Sequence, residues 1–201
     1  MADWTKLRRL LVSGRGVCSG VPWVPITLVL AVTGLVLWAL GRTFWCGCGE
    51  PVPWSWQVQS RHNSQHLIDP YAFTHVLHGV LLFGALYPLA GRLSESARWM
   101  AATLIEAGWE VLENTPMIIE RYRTATVSLD YYGDSIANSL FDIVACLIGY
   151  AITARLRWYS SVALFVIVEV VLVLTIRDSL LLNVIMLVLP SDALLEWQSN
   201  V

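Results

Sequence analysis

Apolar residues run along this chain in long blocks, separated by short polar stretches rich in proline, glycine, arginine or acidic residues. Residues 21–40 and 159–176 are each long enough to cross a bilayer as helix, which takes roughly 20 apolar residues or a few fewer. Between them the pattern predicts three more helices, over 70 to about 90, about 97 to 114, and 134 to about 155. The first begins at Asp69-Pro70, where the carboxylate can cap the helix and the missing proline amide costs little. The second is stopped by Thr115-Pro116, and the third follows Gly133 with Asp134 as its candidate cap. Residues 180–189 are apolar but too few to span comfortably; they predict a short sixth helix, a re-entrant segment or an interfacial one. The expected fold class is all-α, a polytopic transmembrane helical bundle of five spans plus a short sixth apolar segment, forming a single integral membrane domain over 1–201. The alternating ten-residue segments of a membrane β-barrel are not seen.

Composition sharpens this reading. Of 201 residues, 56% are hydrophobic and only 14% charged, which sets the chain apart from ordinary soluble domains. The net charge of −2 and the lack of a dense basic patch give no reason to expect a nucleic-acid partner. Lys6, Arg8, Arg9 and Arg15 precede the first apolar run, which is too long for a signal peptide and lacks a small-residue cleavage site; it is expected to stay uncleaved. With residues 1–20 cytoplasmic, that side also holds Arg92, Arg98, Arg155 and Arg157, while Arg42, Arg61, Arg121, Arg123 and Arg177 fall on the other. This is a moderate positive-inside bias. Loops 42–69 and 115–133 then lie outside, the first with Trp45, Trp54 and Trp56 suited to the membrane–water interface.

Under that topology the polar residues of three helices fall at one end. His75 and His78 lie in the first turns of the second helix, Glu106, Glu110 and Glu113 in the last turns of the third, and Asp134, Ser135, Asn138 and Asp142 in the first turns of the fourth. The glutamates recur at i, i+4, i+7 and so share one stripe. Ionisable groups at membrane depth are costly, so their concentration between Glu106 and Asp142 marks a candidate site. Two chemistries suit it. His75, His78, Glu106, Glu110 and Asp142 could hold a divalent metal, which would be the cofactor, and Asp134 and Asn138 join the catalytic candidates. Alternatively, close carboxylates share a proton and work as acid and base. Arg121, Arg123 and Arg177 are candidates to bind an anionic head group. There is no HExxH motif and no Glu-x-x-His pair, so the identity of a metal is not encoded in a known signature.

Plainer readings stand beside these. Asp134 can be only a helix cap, either histidine a packed and hydrogen-bonded residue, and Arg177-Asp178 a local ion pair rather than a fourth wall of the site. Glu169 sits inside the fifth helix and is expected to meet an arginine or the polar cluster. Cys46 and Cys48 are too close for an unstrained mutual disulfide; they are metal ligands together with His62 and His66, or an ordinary loop pair.

The strings HNSQHLIDPYAFTHVLHG (62–79), EAGWEVLENTPMIIERYR (106–123), DYYGDSIANSLFD (130–142) and IRDSLLLN (176–183) resemble a family of small alphaproteobacterial inner-membrane proteins with a domain of unknown function. The resemblance covers most of the chain and implies a bacterial inner membrane, multi-pass, with loops 42–69 and 115–133 in the periplasm. It brings no activity. Asp134, Asn138 and Asp142 are also similar, more loosely, to the acidic and Asn/Asp-containing helix of VanZ-like membrane proteins, which implies envelope or lipid chemistry. The expected function is a membrane-embedded enzyme acting on a lipid or lipid-linked head group at the periplasmic leaflet. A proton-coupled carrier and a subunit of an envelope complex are the alternatives. Membrane lipid is the one expected partner.

Overall fold

A computed structural model describes residues 20–126 and 131–199; Lys6, Arg8, Arg9, Arg15, Cys18 and Asp130 lie outside the described residues. The regular elements of the described chain are helices, joined between the first two by an irregular segment over 40–71: α1 Trp23–Ala39, α2 Ala72–Leu86, α3 Glu95–Glu113, α4 Pro116–Ala125, α5 Ile136–Thr153, α6 Trp158–Ile176, α7 Leu180–Val188 and α8 Asp192–Ser199. A 3-10 turn, Tyr87–Gly91, extends α2.

Local chemistry explains most of these limits. Asp69 Oδ1 accepts the amides of Tyr71 (2.8 Å) and Ala72 (3.1 Å), satisfying donors that the first turn of α2 leaves unpaired. Ser94 Oγ accepts from Ala97 N at 3.1 Å to start α3, and Asn114 ends it before Thr115-Pro116. Pro116 then opens α4 rather than a loop. The expectation of a loop over 115–133 is corrected here: its first part is a ten-residue helix whose buried Ile119, Tyr122 and Ala125 fall three residues apart on one face.

Among the described residues, three helices are long and apolar enough to cross a membrane: Ala72–Gly91, Ile136–Thr153 and Trp158–Ile176. α1 is equally apolar but has only 17 residues. α3 has 19 residues yet carries Glu95, Arg98, Glu106, Glu110 and Glu113. By length and composition, then, three of the five expected spans stand. α1 and α6 present Trp23, Leu28, Val32, Leu35, Val166, Val170 and Leu174 to the exterior, faces that only lipid or another apolar surface covers.

The bundle packs in opposed directions. α2 makes its broadest contact with α5, α1 lies against α3 and α5, α6 against α2, and α7 against α4. Ile26, Leu86, Trp99, Ala102, Leu147 and Tyr150 form the core at one end, joining the start of α1 and α3 to the end of α2 and α5. Ile119, Tyr122 and Tyr131 form a smaller cluster at the other end. The polar stripes of α2, α3 and α5 lie between the two.

α7 has nine residues, about 13 Å of helix, too short to span. Its first amides turn back onto α6. Arg177 takes a left-handed conformation (φ 52°) that ends α6, and Glu169, about two turns earlier, accepts the amides of Leu180 (3.1 Å) and Leu181 (3.3 Å). The partner of Glu169 is therefore neither an arginine nor the polar cluster but the N-terminus of α7, where orphan donors and the helix dipole favour an anion. Glu169→Ala is expected to cost about 1–2 kcal/mol of stability and to speed hydrogen exchange at Leu180 and Leu181. Unchanged exchange at both amides would contradict this role.

Candidate functional site

Four carboxylates and two imidazoles meet where α2, α3 and α5 converge. His75 Nδ1 lies 2.6 Å from Glu106 Oε1 and 3.3 Å from Glu110 Oε1; its Nε2 is 3.9 Å from Asp142 Oδ2. His78 Nδ1 reaches the same Glu106 oxygen at 2.9 Å. Glu106 thus bridges two imidazoles whose rings stand edge to face, 4.9 Å apart. His75, Glu106, Glu110 and Asp142 are all buried, Glu110 completely. His75, His78 and Glu106 offer ligand atoms close enough to share one cation, as do His75, Glu110 and Glu113.

The polar satisfaction of this cluster is uneven. Among the described residues, neither Glu110 oxygen has a hydrogen-bond partner, nor does Asp142 Oδ1, nor either amide atom of Asn138. Asp142, Glu113, Asp134 and Glu106 all act on Glu110 as like charges. Buried charge without a partner costs several kcal/mol, so this group needs a proton or a cation to be stable. Asp134 is different. Its carboxylate accepts from Tyr131 OH (2.9 Å) and Asn114 Nδ2 (3.0 Å), while its own amide donates to Asn114 Oδ1 (2.8 Å). The cap of α5 is Ser135, whose Oγ accepts from Asn138 N at 3.1 Å, so the reading of Asp134 as that cap is corrected.

A cavity of about 300 Å³ opens onto the cluster. His75, His78, Glu106, Glu113, Asp134 and Asp142 line its polar side. Its other wall is apolar, with Leu81, Ile105 and Val184 each roughly half exposed at the exterior. Asp178 braces this wall: it accepts from Tyr71 OH (3.0 Å) and Asn183 Nδ2 (3.4 Å), both from residues lining the cavity, and from Gln198 Nε2 (3.2 Å). Of the arginines expected to bind substrate, Arg121 donates through Nε to Leu187 O (2.9 Å) and Arg177 through Nη1 to Trp197 O (3.0 Å). Among the residues lining the cavity there is no Arg121, Arg123 or Arg177. The structure brings together the imidazoles and carboxylates of the expected site, while the three arginines are not among the residues that line the cavity.

A family model described as "Protein of unknown function (DUF2585)" matches residues 37–200, the whole of this site included. The chain belongs to that family. It is 47% identical over 173 residues to a UPF0314 protein of Rhizobium meliloti (strain 1021), covering 86% of this chain and 88% of the relative. It is 43% identical over 178 residues to one of Paracoccus denitrificans (strain Pd 1222), covering 89% and 92%, and 37% identical over 188 residues to one of Sphingopyxis alaskensis, covering 92% and 98%. The DUF2585 match and these alphaproteobacterial relatives bear out the resemblance to an alphaproteobacterial family of unknown function, and they give no support to a VanZ-like one. No solved structure matches. This DUF2585 protein is therefore a membrane-associated helical protein whose clustered His, Glu and Asp side chains are compatible with a bound metal ion.

Two contributors to the site had no distinct signal in the sequence. Asn114 was legible only as a helix end, yet it is fully buried and ties α3 to Asp134 and to Ser139 Oγ (3.2 Å). Asp69 was legible only as a cap, yet it is nine-tenths or more buried, and its second oxygen accepts from Ser64 N at 3.1 Å. Burial, reinforced by the charge of Asp134, pushes the Asp69 carboxyl up to about 6, against the three amides that donate to it. Burial likewise raises Asp134, against Tyr131 and Asn114. With Asp69 near about 4 in the unfolded chain, the folded state holds this proton more tightly. Its stabilising contribution is therefore complete below about pH 4 and is lost as pH rises through about 6, a difference of roughly 3 kcal/mol. Thermal unfolding in detergent should show the wild type losing stability from pH 4 to 7 and Asp69→Asn losing distinctly less. Parallel curves would contradict the shift.

Proposed function

We propose that this protein is a membrane-embedded, metal-dependent enzyme acting on a lipid or lipid-linked head group at the periplasmic leaflet of the bacterial inner membrane. In this reading α1, α2, α3, α5 and α6 span, α7 is re-entrant, and the N-terminus is cytoplasmic. The observation that carries the reading is the two-sided cavity: half-exposed Leu81, Ile105 and Val184 on one wall, and His75, Glu106 and Asp142 on the other. An amphipathic ligand fits such a space, its chain at the apolar opening and its head group against the cluster.

His75, His78, Glu106, Glu110 and Asp142 are the residues that would hold the metal: the ligand atoms of His75, His78 and Glu106 converge, as do those of His75, Glu110 and Glu113. The Glu110 oxygens and Asp142 Oδ1, without hydrogen-bond partners among the described residues, are donors a cation would satisfy. A bound divalent ion would polarise a phosphoryl or carbonyl oxygen and activate water. His78 fixes the orientation of the Glu106 carboxylate; Asp134 and Glu113, which line the cavity, are the further groups placed to move a proton or hold the head group. Asn138 is buried, with both side-chain amide atoms lacking a hydrogen-bond partner among the described residues. Because Arg121 and Arg177 are engaged with backbone carbonyls, recognition of an anionic head group falls to the metal and its ligands rather than to the arginines.

Wild-type protein and Glu110→Gln, each reconstituted in vesicles of bacterial lipid extract with added manganese or magnesium, separate this reading from a carrier. Mass spectrometry should find a lipid product with the wild type that is absent with Glu110→Gln and after chelation. Solute flux without any lipid product would overturn it in favour of the carrier.

A further inference from the structure

A second cluster of ligating side chains lies outside this cavity, in the segment joining α1 to α2. Cys46, Cys48, His62 and His66 present four donor atoms that all lie within 4.8 Å of one another. Cys46 Sγ is 3.4 Å from His62 Nδ1, Cys48 Sγ is 3.9 Å from His66 Nε2, and the two imidazole nitrogens are 3.3 Å apart. In a zinc tetrahedron with bonds of about 2.3 Å to sulfur and about 2.0 Å to nitrogen, the N–N edge is about 3.3 Å and the S–N edge about 3.5 Å. The three observed separations match those edges to within a few tenths of an ångström. A simple imidazole–imidazole hydrogen bond would account for one edge and leave the convergence of both sulfurs unexplained.

The surroundings prepare these atoms as ligands. His66 Nδ1 lies 2.6 Å from Val52 O and donates to it, which leaves the Nε2 lone pair turned to the cluster. The Cys48 amide donates to Cys46 Sγ at 3.4 Å, a contact that favours a thiolate. Cys46 and His66 are buried, and both cysteines are free thiols.

We propose that Cys46, Cys48, His62 and His66 hold one structural zinc ion that clasps the 42–69 segment over the rim of the carboxylate cavity. Four protein ligands close the coordination sphere, which is the signature of a structural rather than a catalytic site. Binding releases the two thiol protons to solvent and leaves a neutral centre of two thiolates, two imidazoles and Zn²⁺. The clasp acts on the site through the residues between and beside its ligands. Asn63 and Ser64 line the cavity, with Ser64 in the left-handed region at φ 55°. Ser64 O accepts from Ser135 N (2.9 Å), Thr43 O from Ile136 N (2.9 Å) and Phe44 O from Ala137 N (3.1 Å). These are the orphan amides at the start of α5, the helix that carries Asn138 and Asp142. Gln65 Nε2 adds a bond to Gly133 O at 2.6 Å.

The test uses full-length protein carrying a tag without histidine, purified without chelators from zinc-supplied cells. In the Glu110→Gln background, which removes the carboxylate cluster as a second metal site, elemental analysis should find about one zinc per chain, lost when Cys46→Ser/Cys48→Ser is added. Since that variant can fail to fold, wild-type protein is also exchanged into cobalt. A tetrahedral site with two thiolates gives a sulfur-to-cobalt charge-transfer band in the near ultraviolet and strong d–d bands in the visible. Absence of zinc from the Glu110→Gln protein, zinc retained when both cysteines are also replaced, cobalt bound without a thiolate band, or an intact mass two hydrogens short from a Cys46–Cys48 disulfide would each overturn the proposal.

Discussion

A valine in place of Gly79 or Gly149 is expected to hold α2 and α5 apart and to leave little monodisperse protein in detergent. A Cβ on Gly79 would overlap the carbonyl oxygen of Cys146, and one on Gly149 would overlap that of Val76. Both obstacles are helix backbone, which cannot rotate out of the way as a flexible side chain can. The two glycines let the helices approach at van der Waals distance, the device by which membrane helices gain packing energy when water supplies no drive to associate. Overpacking usually costs about 1–3 kcal/mol and more where backbone must move. The consequence reaches the site, because this contact sets the distance between His75 on α2 and Asp142 on α5. Gly84→Ala is the control: it lies on α2 with nothing within 4 Å of its added Cβ, and should be neutral or slightly stabilising. Size-exclusion profiles and melting curves of the three variants check the prediction. A Gly79→Val protein that purifies like the wild type would contradict it.

Glu110→Gln is expected to abolish metal binding at the carboxylate cluster and, in metal-free protein, to raise stability. These two effects rarely coincide in a structural residue. Glu110 is completely buried, neither of its oxygens has a hydrogen-bond partner among the described residues, and it faces four further carboxylates, so the metal-free fold bears the cost of holding it there. An amide of the same shape carries no charge to desolvate or repel, and leaving a buried group unsatisfied typically costs about 1–3 kcal/mol, more when it is charged. With metal present the order reverses, since the wild type gains the binding free energy and the variant does not. Melting curves with and without divalent metal should therefore cross between the two proteins. A variant less stable than the wild type in chelator would mean that the 3.3 Å approach of His75 Nδ1 to Glu110 holds the fold and would contradict the prediction.

Much of this arrangement was legible in the sequence because membrane cost and helix periodicity act locally. Asp69-Pro70 and Thr115-Pro116 mark helix ends by chemistry confined to a few neighbouring residues. Glu106, Glu110 and Glu113 share a stripe whatever they pack against, and the direction of each helix put His75, His78, Asn138 and Asp142 at the same end. What escaped depends on where the chain turns. Glu169 could not be paired with the start of α7 without knowing that residues 177–179 reverse the chain so tightly. Arg121 and Arg177 look like anion ligands by residue type, yet both donate to backbone carbonyls of segments far along the chain. The α4 helix was hidden because Arg121, Arg123 and Glu120 make its outer face resemble a loop, although Ile119 and Tyr122 carry the helical spacing. The Cys46, Cys48, His62 and His66 set had the residue types of a metal site, but only the folded 42–69 segment shows that its donors converge.

The most direct test of the carboxylate–imidazole cluster as a metal centre is an electron paramagnetic resonance titration of chelator-treated, metal-free protein with Mn²⁺, comparing wild type with Glu110→Gln. Manganese favours carboxylate and imidazole over thiolate, so it reports on this cluster and not on the cysteine pair. The expected result is saturable binding of about one Mn²⁺ per wild-type chain, with nitrogen couplings from His75 or His78, and loss of that binding in a Glu110→Gln protein that remains folded. Wild type and variant that bind Mn²⁺ equally, or a wild type that binds none, would contradict the account.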